Sequence, residues 1–460
     1  MSATAPAAIA PAGARQMRLG LFLLSTGHHI AGWRHPGSAA DMPVSIARYA
    51  EIARMAEAAC FDMLFLADNN CVPQTDWPAV RRTSRANLFE PIALLSALSM
   101  VTDRIGLVAT GSTTYSEPYH TARAFGTLDH LSGGRAGWNI VTTSNSNEAW
   151  NFGRESHPAH ADRYKRAGEF VEVTKGLWDS FTDDAFPRDT ESGIYFDATK
   201  LGVLNHKGEH FSVRGPLNLA RPPQGHPVLV QAGGSEAGRD LAARLAEVIF
   251  AVNQALPDAQ AFYADIKARL IAHGRDAEAV KVMPGLFPVV GRTRAEAEDR
   301  MAELQRLLHP DVGLSLLSFL TGGFDFTPYD VDGPLPELPD TDVGKARLKV
   351  IADLAKRENL SIRQLYERIA VSRGHHMVVG SAADVADRMQ DWFEGGAADG
   401  FNVMPPTFPE GFRDFCQLVV PELQRRGLFR TEYSGRTLRE HLGLARPLHL
   451  PRGQVALPHA

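Results

Sequence analysis

The sequence predicts a single (β/α)8 barrel, the TIM-barrel form of the α/β class, enlarged by insertions. Three observations carry that expectation. Short apolar segments of strand length alternate with segments of helical periodicity almost from end to end. The strand segments lack the clean polar/apolar alternation of a half-exposed sheet, as expected of parallel strands covered on both faces. A late strand, Pro227-Val-Leu-Val-Gln231, breaks at Gly233-Gly234 into a helix starting at Ser235, a junction at which barrels of this kind hold phosphate groups.

The elements follow in order. Met17 to Leu24 is the first strand. Ser45 to Ala59, apolar at Ile46, Tyr49, Ala50, Ala53 and Ala56, is the first helix. Met63 to Asp68 is the second strand, followed by an alanine/leucine helix ending near Met100. Ile105 to Thr110 is the third strand, Tyr119 to Leu131 a helix stopped by Gly133-Gly134, and Ala136 to Val141 the fourth strand. Asp162 to Trp178 reads as helix, and Leu204 to Val213 as an inserted pair of short strands turning at His206-Lys-Gly-Glu209. Val228 to Gln231, Val248 to Val252, Val282 to Val290 and Phe401 to Met404 complete the series as strands five to eight. One run breaks the rhythm. Between His309 and Thr341 the chain is rich in Gly, Pro and Asp, with Leu314 to Leu320 embedded in it. It reads as a loop excursion over the barrel mouth and a candidate lid. The expected organisation is a disordered tail at 1–16, one domain at 17–445 with insertions at about 185–215 and 309–345, and a C-terminal tail at 446–460.

Composition narrows the function. The 44% hydrophobic content of 460 residues supplies a large core, and a net charge of −5 with scattered Lys and Arg offers no basic face to nucleic acid. Cys60, Cys71 and Cys416 are too few and too scattered for a disulfide framework or a cysteine zinc site, and Cys60 reads as a small core residue. The Ala/Pro-rich start lacks the basic and apolar regions of a signal peptide, and no apolar run reaches membrane-spanning length. A cytoplasmic location is expected.

In a barrel, chemistry sits at the C-terminal ends of the strands, which here carry Asp68, Thr110, Asn139 and the 233–235 turn. Ser235 is a natural N-cap. A helix start leaves backbone N–H groups unpaired beneath partial positive charge, and the glycines allow a ligand to approach the backbone. An ordinary βα turn uses the same residues, so it is the position after a late strand that favours a phosphate at Gly234 and Ser235. His160 and Tyr164, four apart at the start of a helix, share one face and suit a phosphate or the edge of a flavin ring; His160 taken alone reads equally as a helix-start histidine with a local hydrogen bond. His157 with His160 is a conceivable metal pair, but no carboxylate or third ligand accompanies it, and no metal is expected. His28 and His29 follow the first strand. Adjacent side chains diverge, so at most one faces the pocket. Trp33 reads as pocket wall or core, and Arg34 as anion contact or surface charge. His375-His376 precede the apolar Met377-Val-Val379. No nucleophile elbow and no Ser/His/Asp order stands out. An inventory rich in binding groups and short of a nucleophile suits an enzyme whose cofactor performs the hard chemistry.

Taken together, Gly27-His-His29, Gly32-Trp-Arg-His-Pro36, Phe65-Leu-Ala-Asp68, His160-Ala-Asp-Arg-Tyr164 and Gln231-Ala-Gly-Gly-Ser235 resemble the bacterial-luciferase-like flavin monooxygenases. Within them the chain is most similar to the nitrilotriacetate, dibenzothiophene-sulfone and long-chain-alkane monooxygenase group. Gly396-Ala-Ala-Asp-Gly-Phe401, Pro421 to Phe429 and Thr437 to Gly443 resemble that group's C-terminal pattern, so the likeness runs from about residue 17 to 445. The resemblance implies a two-component system: a separate NAD(P)H:flavin reductase supplies reduced FMN, which reacts with O2 through a C4a-(hydro)peroxyflavin to oxidise a small organic substrate. It implies FMN contacts at Asp68, Thr110, His160, Tyr164, Ser235 and Gly234, a substrate-side role for His28 or His29, and a homodimer or homotetramer. The same fold leaves open a deazaflavin-dependent oxidoreductase and a flavin-binding protein without catalysis. A reading unrelated to flavin is a metal-dependent barrel hydrolase using His157 and His160.

Overall fold

The computed structural model describes residues 15–72, 76–321, 323–338, 352, 355–370, 374–450 and 453–454. The proposed tails at 1–14, 451–452 and 455–460, and residues 339–345 of the excursion, lie outside the described residues. The strands are β1 (Arg18–Phe22), β2 (Met63–Leu66), β3 (Gly106–Ser112), β4 (Ala136–Val141), β5 (Val228–Gln231), β6 (Val248–Ala251), β7 (Lys281–Gly291), β8 (His376–Ser381) and β9 (Gly400–Val403). All pair in parallel. β1 to β7 follow one another around a barrel that closes through β9, which bonds β7 at Gly285↔Asn402 and β1 at Gly20↔Asn402. The eight strands expected from sequence are these eight. β8 is an addition: it runs beside the second half of β7, from Leu286↔His376 to Gly291↔Ser381. Its short apolar run did not mark it as a strand, because pairing with distant β7 is what makes it one.

The barrel also explains why its strands show no polar alternation. Phe22, Met63, Phe65, Val108, Val228, Val230, Val248 and Met283 point inward and share one apolar cluster. The alternate residues, among them Leu19, Leu21, Leu64, Leu107, Trp138 and Ile140, pack outward against the helices. Both parities are buried, so both are apolar. Trp138 shows the outer layer: its ring lies 5.6 Å from Phe125, 5.8 Å from Phe170 and 6.3 Å from Trp178.

Helices α1 (Ile46–Ala58), α2 (Pro91–Leu98), α3 (Pro118–Leu131), α4 (His160–Trp178) and α5 (Glu236–Leu245) lie close to their expected positions. The N-terminal end of the barrel is closed from below. Leu438 and Leu442, on a one-turn helix with a Thr437/Glu440 capping box, join the interior cluster. A side chain on Gly106 would place its Cβ 2.4 Å from Leu438 Cδ1, so the strand must be bare there. The opposite, C-terminal end is left as the mouth. Among the described residues no helix is long and apolar enough to cross a membrane.

Two insertions differ from expectation. His206–Lys207 pairs with Ser212–Val213, so the turn occupies 208–211 rather than 206–209. The cause is Glu169 on α4, whose carboxylate takes His206 Nε2 at 2.8 Å and the backbone N–H groups of His210 and Phe211 at 2.9 and 3.0 Å. In the 309–341 run, Pro310–Leu320 is not loop but helix α6. His309 caps it and Pro310 occupies a first-turn position, where a missing N–H costs nothing. Its apolar face meets Ile362, Leu365 and Tyr366 of the helix Ile362–Ala370, and Ile30 and Ala31 of the loop after β1.

Candidate active site

The floor of the mouth is aromatic. Phe22, Phe65 and Phe250, from β1, β2 and β6, meet edge-on or tilted with ring centroids 5.1 to 5.5 Å apart. His375 stacks on Phe250 at 5.2 Å. Such a surface repels water and accepts a flat ring.

The wall after β5 is built for an anion. Ser235 Oγ accepts the backbone N–H of Gly238 at 3.1 Å, capping α5 as its sequence promised. Gly233 is held to the bare backbone by close packing: a Cβ there would lie 2.4 Å from Gln231 Nε2. Around Gly234 nothing stands within 4 Å of an added Cβ, so the turn is open to a ligand. A Cβ on Gly238 would lie 3.1 Å from both Ser235 Oγ and Tyr164 Oη. Two candidates widely separated in sequence therefore meet over one helix start. His160, exposed on the first turn of α4, packs its ring 4.7 Å from that of Tyr164. These residues fit a phosphate: an exposed helix N-terminus, two hydroxyls and an imidazole converge on open space.

The β2 to β4 wall is more heavily committed. Thr110 donates its hydroxyl to the Leu66 carbonyl at 2.7 Å and accepts from Asn139 Nδ2 at 2.8 Å. It has no proton left to offer a ligand. The neighbouring hydroxyls are also engaged, Ser112 with Thr143, Thr113 with the Val141 carbonyl and Thr114 with the Thr142 carbonyl. Asp68 is half-buried, and burial pushes its carboxyl up to about 6, with Glu90 and Glu148 adding repulsion against the Asn69 backbone hydrogen bond. Sequence gave no sign of Glu148. It is 3% exposed, its carboxyl is raised by burial, and it takes the Asn70 side-chain N–H at 2.9 Å, tying the loop after β2 to the loop after β4. Asn139 was visible as a polar residue within an apolar strand, but its role was not.

The two adjacent histidines part company. His28 lies against the floor, its ring 4.5 Å from that of Phe22, and its Nε2 is 2.8 Å from the Phe22 carbonyl. That carbonyl can only accept, so Nε2 carries the proton and is already spent. His29 turns elsewhere: its Nδ1 accepts the Ala31 N–H at 3.2 Å, and burial, with His35 and Arg85 nearby, lowers it to about 4. It is neutral, with Nε2 enclosed and unpaired among the described residues. His157 spends both nitrogens, on Tyr115 Oη at 2.6 Å and the Thr143 carbonyl at 3.2 Å, and so has none for a metal. Trp33 donates to the Arg82 carbonyl at 2.8 Å, and exposed Arg34 to that of Leu307.

An aromatic floor and a wall suited to a phosphate now stand beside a family match. The model of the luciferase-like monooxygenases fits residues 17–399. The chain belongs to that family. It is 51% identical over 437 residues to N-acetyl-S-(2-succino)cysteine monooxygenase of Bacillus subtilis (strain 168), covering 95% of this chain and 98% of that one. It is 50% identical over 452 residues to nitrilotriacetate monooxygenase component A of Aminobacter aminovorans, covering 96% and 99%. Among solved structures, EDTA monooxygenase from Chelativorans sp. BNC1 superposes with a TM-score of 0.78 at 35% identity, over 94% of this chain and 99% of that one. The chain is accordingly an oxygen-inserting enzyme that works with reduced flavin.

Proposed function

We propose that the flavin is FMN, delivered in reduced form by a separate NAD(P)H:flavin reductase, and that the substrate is a small organic molecule oxidised at a carbon bonded to sulfur or nitrogen. The observation that carries the cofactor reading is the meeting of Tyr164 Oη, Ser235 Oγ and the bare turn at Gly234 over the start of α5. This set addresses a phosphate, which FMN has and riboflavin lacks. The substrate class is supported by the two relatives near 50% identity, named for a thioether and an amine. The name component A given to one of them supports a separate partner.

In this reading each part of the chain has a physical task. Gly234, Ser235, Tyr164 and His160 hold the phosphate. Asp68 stands at the edge of the mouth as a carboxyl that burial keeps partly protonated near neutral pH. Phe22, Phe65 and Phe250 exclude water from beneath the ring, and His28 lines the same floor. Helix α6 and its partner, packed on Ile30 and Ala31, form the proposed lid. The bound flavin supplies the electrons with which O2 is split, one oxygen atom entering the substrate and the other leaving as water. The test is incubation with a flavin reductase, NADH, 18O2 and a panel of thioethers and tertiary amines. The hydroxylated carbon expels its thiol or amine, and with FMN one 18O atom is expected in the carbonyl product when borohydride traps it before exchange with water. Failure of the chain to bind reduced FMN would reject the reading, as would product formation with no label from 18O2.

A further inference from the structure

The loops after β3 and β4 meet in an aromatic and cationic cluster that the flavin reading leaves unused. The helical turn Glu148–Asn151 ends before Gly153, which takes a left-handed φ of 66°. The N–H groups of Gly153 and Arg154 then close back on the carbonyls of Trp150 and Ala149, at 3.4 and 3.0 Å. This closure brings Phe152 and Arg154 to Tyr115 of the other loop. The Phe152 and Tyr115 rings lie nearly parallel, at 4°, with centroids 4.8 Å apart. The Arg154 guanidinium stands over Tyr115, 5.4 Å from the ring centre. Tyr115 is fixed in turn. His157 Nε2 faces the Thr143 carbonyl and so carries the ring proton, which leaves Nδ1 to accept the Tyr115 hydroxyl at 2.6 Å. Arg163, on the first turn of α4, donates Nη1 to the Pro158 carbonyl, and its Nε is enclosed with no acceptor among the described residues. After burial, the Arg163 charge is the next cause lowering His157, and Arg154 and Arg163 both oppose the burial that raises Tyr115. Both guanidiniums therefore stand near the Tyr115–His157 pair. Among the described residues neither meets a carboxylate, whereas Arg82 of the loop after β2 pairs with Asp311 at 3.0 Å. Two held cations without a counter-charge make a receptor for an oxyanion, since a guanidinium fork matches a carboxylate edge with two N–H groups.

We propose that Arg154 and Arg163 bind a carboxylate of the substrate, so that the enzyme oxidises an organic anion and discriminates against its neutral ester. The proposal deepens the substrate reading above and rests on it for the carbon oxidised, not for the anion. Anchoring the charged end at the rim lets the sulfur- or nitrogen-bearing end reach the aromatic floor without burying a charge there. Phosphate offers a guanidinium the same oxygen edge, but in the flavin reading the cofactor phosphate lies at the start of α5. For a thioether acid the step balances as follows. The carbon beside sulfur gains one oxygen atom of O2, the other leaves as water with the two electrons and protons of reduced flavin, and the C–S bond breaks to a thiol and a carbonyl acid.

The probes are thiodiacetate, a thioether with two carboxylates, and its dimethyl ester. Binding of each to wild type, Arg154→Gln, Arg154→Lys and Arg163→Gln is measured by calorimetry at low and high salt, beside an anaerobic titration with reduced FMN. Turnover with a reductase and NADH is followed separately as glyoxylate and mercaptoacetate. Wild type should bind the acid at least about tenfold more tightly than the ester. Either Gln exchange should lower that acid preference about tenfold, the equivalent of one charge-assisted hydrogen bond. Arg154→Lys should restore part of it, and salt should weaken the acid alone. Thermal unfolding checks each variant, and exposed Arg154 carries the test if Arg163→Gln does not fold. Equal binding of acid and ester, or of neither, overturns the proposal, as does an acid preference untouched in the folded variants. So does a tenfold loss of reduced-FMN affinity in Arg154→Gln with the acid preference kept, which would give the guanidinium to the flavin phosphate. Acid binding without turnover upholds the carboxylate site and rejects only oxidation at a carbon beside sulfur.

Discussion

Replacing Ser235 by Asp isolates the phosphate contact from the rest of the cofactor site. The exchange preserves the local structure, because Asp caps a helix as well as Ser does and can accept the same Gly238 N–H. What changes is charge. Ser235 is exposed, so water-like screening is the conservative assumption. Two unit charges 4 Å apart in water interact by about 1 kcal/mol, and a phosphate near full ionisation doubles this to about 2 kcal/mol, roughly thirtyfold in Kd. Partial desolvation in the complex can only enlarge the effect. The assay is an anaerobic titration of wild type and Ser235→Asp with reduced FMN and, in parallel, reduced riboflavin. FMN affinity should fall roughly thirtyfold, and by less in high salt, while riboflavin affinity stays within about twofold. An equal loss for both ligands would mean that the turn had been deformed rather than charged. No loss for FMN would place the phosphate elsewhere, and the assignment of the α5 start would be withdrawn.

Other substitutions separate binding from stability. Gly238→Ala sets a methyl group 3.1 Å from Tyr164 Oη, Ser235 Oγ and the backbone Cα of Gly233, so FMN affinity should fall several-fold, while the gain of up to about 1 kcal/mol that alanine brings to a helix is offset by that crowding; a parallel melt and titration should show affinity falling with little change in Tm, and unchanged affinity would remove Tyr164 from the phosphate site. Asp68 titrates near 6 in the folded chain against 3.8 for a free side chain. The folded state therefore holds the extra proton between about pH 4 and 6, stability falls as pH rises through that window, and Asp68→Asn should flatten this part of a Tm–pH curve. His29 has the opposite sign: burial lowers it to about 4, so the unfolded chain takes the proton first, and about 3 kcal/mol of stability is lost as pH falls from 6.5 toward 4. His29→Gln should reduce that acid sensitivity without abolishing it, since half-buried His376 is also lowered to about 4; an unaltered acid limb would contradict the burial argument.

Much of this molecule was legible in the sequence because much of it is decided locally. A run such as Val228 to Gln231 followed by two glycines, Ser235 and a string of helix formers specifies strand, turn and cap from adjacent residues alone. The same holds for the other seven barrel strands, whose order and apolar content suffice for a closed parallel sheet. His160 and Tyr164 share a face because they are one turn apart on a helix. Reading the excursion at 309–341 as loop throughout went too far. The glycines and prolines that suggested it lie mostly after Leu320, while Pro310 begins a helix rather than breaking one.

What sequence left open depends on contacts between residues remote along the chain. Because both parities of each strand are buried, hydropathy could not say which side faced the barrel axis, and so could not place Phe22, Phe65 and Phe250 in one floor. His28 and His29 are alike in type and in burial. Only the carbonyl of Phe22 and the neighbourhood of Arg85 distinguish the ring at the mouth from the ring turned away. β8 becomes a strand by pairing with residues some ninety positions earlier, and Leu438 becomes a plug because Gly106 leaves room for it. Asn139 is the sharpest case. Its identity is written in the sequence, but the direction of its amide is set by a single proton on Thr110, and that proton is directed by a carbonyl on another strand. Local propensity and periodicity thus determined the elements and their order, while the tertiary structure decided which polar atoms are spent within the protein and which remain for a ligand, since hydrogen-bond partners are assigned by proximity in space.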